Sequence, residues 1–188
     1  MWGFEMILAV VGMCGSGKSV VCARLDERKI PGIYFGRLTM QELKRRGLPV
    51  TPENERSLRE QLRQEHGMAA FALLALPGLR ALLGEHPVVH IDGLYSWDEY
   101  RVLEREFPGQ VRLLAVATDK ALRHRRLAAR PERPFTAEQA RDRDLSEIEF
   151  LAKGGPIAFA DFTLANNDGV PDLIERLDSA LAQMGVVP

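Results

Sequence analysis

The stretch Gly12-Met13-Cys14-Gly15-Ser16-Gly17-Lys18-Ser19 follows directly on the apolar run Met6-Ile7-Leu8-Ala9-Val10-Val11. Six apolar residues without alternation read as a strand buried on both faces. Three glycines then free the backbone, and the chain from Lys18 through Val20 and Val21 to Leu25 resumes with helical spacing. The eight residues satisfy the phosphate-loop pattern G-x-x-x-x-G-K-[ST] in full, between a strand and a helix, as that pattern requires. The spacing has a chemical reason: successive main-chain N–H groups of such a loop turn inward around a phosphate, and the next helix N-terminus adds partial positive charge. On this reading Gly12, Cys14, Gly15, Ser16, Gly17, Lys18, Ser19 and Val20 surround the phosphates of a nucleoside triphosphate, ATP. Lys18 reaches the β and γ phosphates, and the Ser19 hydroxyl ligates Mg²⁺.

Beyond the loop, strands and helices alternate. Residues 33–35, 87–92, 111–117 and 162–165 read as further short strands, which with the first makes five. Between the second and third strands lies a long helical region, residues 38–83, broken at Gly47, Pro49, Gly67 and Pro77-Gly78. Thr51-Pro52 marks a helix start there. Ser96 with Glu99 and Thr136 with Gln139 form capping boxes that open two more helices, the second running to about Lys153. A helix opened by Thr118 has to end before Pro131, and Pro171 starts the last one. Such alternation implies an α/β architecture with a parallel sheet covered on both faces.

The chain has 188 residues, 46% of them apolar and 27% charged, which suits one domain with one well-buried core. A net charge of −1 leaves no electrostatic footprint for nucleic acid or an anionic membrane, so neither is expected as a partner. The longest apolar windows, residues 68–76 and 111–117, are too short to span a bilayer, and no basic-then-apolar leader opens the chain. A cytoplasmic location is therefore expected, as a monomer or homodimer. Cys14 and Cys22 form no metal-like or redox-like pair.

Arginine supplies twenty of the twenty-five basic residues, and its planar fork suits phosphate. Arg56, Arg59 and Arg63 recur along one helix face after Arg45 and Arg46, and are read either as an acceptor clamp or as a solvated face paired with Glu55 and Glu60. A second group, Arg123, Arg125, Arg126, Arg130 and Arg133, runs into a proline-marked segment that would close over transferring phosphates, with Arg141, Arg143 and Asp144 completing it. Asp92, at the end of an apolar strand, either orders Mg²⁺ through water or takes a proton from an acceptor hydroxyl. A guanine-reading N-K-x-D motif is missing, since Asn166-Asn167-Asp168 lacks the lysine.

Together the phosphate loop, the helical region, Ile91-Asp92-Gly93-Leu94, the Arg-rich segment and Ala160-Asp161 through Asn166 resemble the P-loop nucleoside-monophosphate kinase superfamily. The closer likeness is to its adenylate-kinase-related and dephospho-CoA-kinase-related group, and it also takes in Arg46 to Asn54. The resemblance implies a five-stranded sheet in order 2-3-1-4-5 in a single domain over 1–188. Its core would be 1–36, 84–122 and 137–188, with an acceptor-binding insert at about 37–83 and a lid at about 123–136. It further implies an ATP-dependent phosphotransferase for a nucleotide or nucleotide-like small-molecule acceptor, such as a nucleoside monophosphate or dephospho-CoA. Lys18, Asp92, Arg126 and Arg130 would be catalytic, Ser19 and Asp92 would hold Mg²⁺, Asn166 would lie against the nucleotide, and Arg45, Arg59 and Arg63 would bind the acceptor. Two positions depart from that pattern: Leu94-Tyr95-Ser96 supplies no arginine after Asp92-Gly93, and Arg37 stands where an aspartate often follows the glycine matched to Gly36. Alternatives are a non-catalytic ATP-binding module and a small-metabolite kinase of the shikimate or gluconate type.

Overall fold

The computed structural model describes residues 5–186, so the ends of the assigned 1–188 domain, residues 1–4 and 187–188, lie outside it. Five parallel strands lie in the order β2-β3-β1-β4-β5: β1 Met6–Val11, β2 Gly32–Tyr34, β3 Val88–Asp92, β4 Val111–Ala117 and β5 Phe162–Ala165. The helices are α1 Lys18–Glu27, α2 Phe35–Arg45, α3 Pro52–His66, α4 Ala70–Leu83, α5 Trp97–Glu106, α6 Lys120–Ala128, α7 Ala137–Glu149, α8 Gly154–Ala158 and α9 Val170–Gln183.

Central β1 shows why its six residues are all apolar. Ile7, Ala9 and Val11 enter the core beneath α4 and α5, whereas Met6, Leu8 and Val10 enter the core beneath α1 and α9. A strand covered on both faces has no solvent side for a polar residue. Register places Val10 beside Asp92 and Tyr34 beside Asp92, so the carboxyl ends of β1, β2 and β3 finish at one edge of the sheet. In open parallel sheets that edge is where ligands bind.

Local signals behave as their chemistry requires. The Thr51 hydroxyl accepts the Asn54 N–H at 3.2 Å to open α3, and both capping boxes are present, at Ser96–Glu99 and Thr136–Gln139. Four boundaries differ from the expectation. Phe35 opens α2 instead of closing β2, because its ring is fully buried in the core. Helix α4 runs through Pro77-Gly78. The carbonyl deprived of its partner belongs to Leu73, which like Pro77 faces solvent, while Phe71, Ala75, Leu79 and Leu83 are buried and outweigh the proline penalty of about 3 kcal/mol.

Helix α6 covers only Lys120–Ala128, and Thr118 does not cap it: its hydroxyl donates to the carbonyls of Ser16 and Asn166. Finally, α7 stops at Glu149. Ala152 takes a left-handed φ of 48°, and α8 begins as a separate helix, packed through Phe159 on Trp97 and Tyr100. That reversal carries Lys153 back toward Glu147.

The joint between α6 and α7 is ionic. Arg123 grips both oxygens of Asp144, at 2.7 and 2.9 Å, with side chains only 7% and 9% exposed. Removing one partner of a buried pair strands the other charge. Asp144→Ala is expected to lower the unfolding free energy by about 3–5 kcal/mol in a urea titration; a loss below about 1 kcal/mol would contradict this role.

Candidate functional site

Residues 12–19 wrap the carboxyl end of β1, and several of their carbonyls are held by side chains, one from the loop itself and three from elsewhere. Lys18 Nζ donates to the carbonyls of Gly12 at 2.8 Å and Met13 at 3.1 Å. Arg123 donates to the Cys14 carbonyl at 3.1 Å. Thr118 and Asn166 donate to the Ser16 carbonyl at 2.9 and 2.7 Å. With these oxygens satisfied by protein donors, the loop is pinned, and the main-chain N–H groups of Lys18 and Ser19 open α1 where a helix offers no acceptor. Gly17, at φ 103°, has no room for a side chain, because a Cβ would strike the Asn166 amide; at Gly12 a Cβ would meet Ser16 Oγ and the Val116 carbonyl at 2.6 Å.

Two buried polar atoms beside the loop have no partner among the described residues: Ser16 Oγ and Arg126 Nη1. Arg126 Nη2 lies 3.4 Å from Asn166 Oδ1, which places Arg126 and Asn166 side by side. An orphaned hydroxyl, an orphaned guanidinium N–H and a cradle that only glycine fits are what a polyanionic ligand would complete. Ser19 is exposed on the first turn of α1, and Val20 is half-buried against the α1–α9 core. Asp92 is half-buried at the end of β3 beside Cys22, whose thiol is pushed up by burial and then by Asp92, so it stays protonated next to the carboxylate. Among the described residues no three His, Cys, Asp or Glu side chains converge to hold a metal by themselves. Mg²⁺ fits this site as an ion that takes one or two protein oxygens and completes its shell with phosphates and water.

On one side the loop opens into a cleft of about 740 Å³. One bank carries Arg56, Arg59 and Arg63 of α3, the other Arg130, Arg133 and Arg143, and Cys14 lies between them. Arg63 lies 5.3 Å over the Phe71 ring with its Nε buried and unpartnered, and Arg130 lies 5.7 Å over Phe135 with one nitrogen 3.9 Å from Cys14 Sγ. On the α3 stripe Arg56 pairs with Glu60 at 3.1 Å and Arg59 with Glu55 at 3.4 Å, and Arg56, Arg59 and Arg63 all line the cleft.

One expected site residue lies elsewhere, and one serves the loop in a different way. Arg45 is 72% exposed outside the cleft and is bound by both oxygens of Glu42 at 2.7 Å; at the end of α2 its i−3 neighbour is closer than the cleft. Arg123, expected in a closing segment, is locked onto Asp144, and the segment is helical as far as Ala128.

The sequence reading missed Glu147. Its carboxylate accepts the Cys14 N–H, Arg143 Nε and Lys153 Nζ, each at 3.0 Å, and Glu147 and Lys153 are each only 1% exposed. Burial alone would raise this carboxyl, but Lys153 and Arg143 outweigh it and hold it below the usual range. The Arg143–Glu147 spacing of four was a visible signal; the Lys153 contact arises only from the reversal after α7.

The loop, the sheet order and the strand-end carboxylate define the class as P-loop kinases in fold. A family model described as an AAA domain matches residues 8–147. A UPF0200 protein of Thermococcus gammatolerans is 39% identical over 181 residues, covering 95% of this chain and 94% of that protein. The chain belongs to the UPF0200 family. Among solved structures, TT1252 from Thermus thermophilus has a TM-score of 0.58 at 22% identity, over 96% of this chain and 98% of that one. Dephospho-CoA kinase from Campylobacter jejuni has 0.57 at 14%, over 96% and 97%. At these identities the likeness is one of fold. Among the described residues no single helix is long and apolar enough to cross a membrane.

Burial, joined by the nearby Lys153 charge, lowers the Lys18 pKa to about 8 against the pull of Glu147. The sign follows: between pH 8 and 10.5 the unfolded chain keeps a proton that the folded chain has shed, so stability rises with pH across that window. The unfolding free energy of the unaltered protein minus that of Lys18→Met should climb by about 3 kcal/mol from pH 8 to 10.5 in denaturant titrations. A flat difference would contradict the depressed lysine.

Proposed function

We propose that the protein is an ATP-dependent phosphotransferase for a small nucleotide-like acceptor, with Mg²⁺ joining the donor's terminal phosphates. The observation that carries this reading is the phosphate loop opening directly into a cleft lined by six arginines from two opposed banks. A loop that only bound nucleotide would need no arginine-lined space at the transferable end. In this reading the loop amides and Lys18 hold the donor, with Ser19 and Asp92 directed at Mg²⁺ and Arg126 and Asn166 flanking the nucleotide. When bound, Mg²⁺ neutralises charge on the transferring group. Residues 37–83 act as the acceptor-binding insert, with Arg59 and Arg63 toward the acceptor, and the stretch after α6 with Arg130 acts as the lid.

The cleft supports a nucleotide-sized acceptor. Beside the arginines, the cleft presents Tyr34, Phe71, Tyr95 and Phe135, which give a planar or apolar moiety surfaces to lie on. Two acceptor groups are chemically distinct. A phosphate is largely ionised near neutral pH and needs clamping; a hydroxyl needs a base, and Asp92 at the end of β3 is the carboxylate available for it.

The test is ADP release with ATP, Mg²⁺ and a panel of nucleoside monophosphates, dephospho-CoA, nucleosides and small sugars. Turnover is expected with a phosphate-bearing nucleotide-like compound and should fall at least about a hundredfold in Lys18→Ala. Loss of turnover in Asp92→Asn within about tenfold identifies a phosphate acceptor, and near-total loss that excess Mg²⁺ does not restore identifies a hydroxyl. Tight ATP binding with no turnover across the panel would overturn the kinase reading in favour of a nucleotide-binding module.

A further inference from the structure

Among the described residues Glu147 is the one buried carboxylate bonded to the phosphate loop, and the proposed chemistry gives it no task. Its three donors are a loop N–H, a guanidinium and an ammonium, each at 3.0 Å. A terminal phosphate oxygen would meet the same kinds of group. Position agrees with chemistry. Cys14 is the loop residue that lines the cleft, and Arg143 lines it too. Lys153 Nζ sits 5.2 Å over the ring of Tyr95, another cleft residue. The end of a triphosphate that is to be transferred has to face that cleft, so it has to arrive at the Cys14 N–H. That donor is already engaged by Glu147.

The charge balance favours an exchange. Three cations, Lys18, Arg143 and Lys153, act on the Glu147 carboxylate. Burial lowers the pKa of both lysines against the pull of Glu147. A terminal phosphate carries roughly −2 where the carboxylate carries −1, and so satisfies the cluster better. Glu147 has a way out: it sits in the last turn of α7, where Glu149 and Phe150 are exposed and the chain breaks before α8.

We propose that Glu147 stands at the place of the donor's terminal phosphate. A nucleoside triphosphate displaces the carboxylate and takes over the Cys14 N–H, Arg143 and Lys153, whereas a nucleoside diphosphate leaves Glu147 where it is. Glu147 is thus the residue through which the loop tells triphosphate from diphosphate. This rests on the donor-site reading above.

Calorimetric titration of the full chain with β,γ-imido-ATP and with ADP, each with Mg²⁺, tests it. An internal competitor lowers apparent affinity by the fraction of molecules that have released it, so Glu147→Gln should bind the imido analogue about tenfold more tightly while ADP moves less than about twofold. Glutamine leaves Lys153 buried without its counter-charge and risks misfolding. Glu147→Asp keeps the charge near Lys153, draws it one methylene back from the Cys14 N–H, and should shift the same ratio in the same direction. Equal changes for both nucleotides, as a purely structural role would give, or no change in either, overturn the exchange and leave the donor site standing. If the unaltered chain binds neither nucleotide, the donor site fails and the exchange fails with it.

Discussion

Four carbonyls of the loop between β1 and α1, those of Gly12, Met13, Cys14 and Ser16, are turned toward side-chain donors, and the rest of the site depends on that constraint. Lys18 takes two of these oxygens, Arg123 takes one, and Thr118 and Asn166 share the fourth; the donors come from the loop's own helix, from α6, and from the ends of β4 and β5. A peptide group whose oxygen is fixed on one side has its N–H fixed on the other. Convergent N–H groups repel one another unless an anion lies among them. The cluster at Glu147 follows from this, since the fold places a carboxylate of its own on Cys14 and then needs Arg143 and Lys153 to hold that charge in the interior.

The same constraint explains why a chain with a net charge of −1 has so local a surplus of positive charge. Elsewhere several arginines are neutralised in pairs, as Arg45 is by Glu42 and Arg24 and Arg28 are by Asp178. In the cleft Arg56, Arg59 and Arg143 are also paired, with Glu60, Glu55 and Glu147, while Arg63 packs on Phe71 and Arg130 on Phe135 with no carboxylate partner among the described residues. Like charges held apart on rigid elements act on whatever anion enters between them without having to reorganise. The donor loop and the arginine-lined cleft are thus two parts of one electrostatic arrangement, joined at Cys14.

Much of this was legible in the sequence because it is local. The strand, the glycine spacing, the lysine and both capping boxes depend on neighbours within a few residues, and the buried character of β1 is written in its unbroken apolar run. The sheet order came with the family resemblance. What escaped depends on distant packing. Pro77 is tolerated because the core pulls the flanking residues of α4 inward, and Arg123 turns inward because Asp144, 21 residues away, waits there. Lys153 reaches Glu147 only through the left-handed turn at Ala152. Arg45 shows the opposite failure: a basic residue near a basic face was grouped with it, although a carboxylate three residues back claims it first.

The central claim is that the residue 12–19 loop cups the phosphate tail of a nucleoside triphosphate. A crystal structure grown with a non-hydrolysable ATP analogue and Mg²⁺ tests it most directly. The account predicts phosphate density against the loop N–H groups, Lys18 Nζ on the two outer phosphates, and the metal between Ser19 and those phosphates. Density for the analogue elsewhere on the molecule, with the loop untouched, would contradict it.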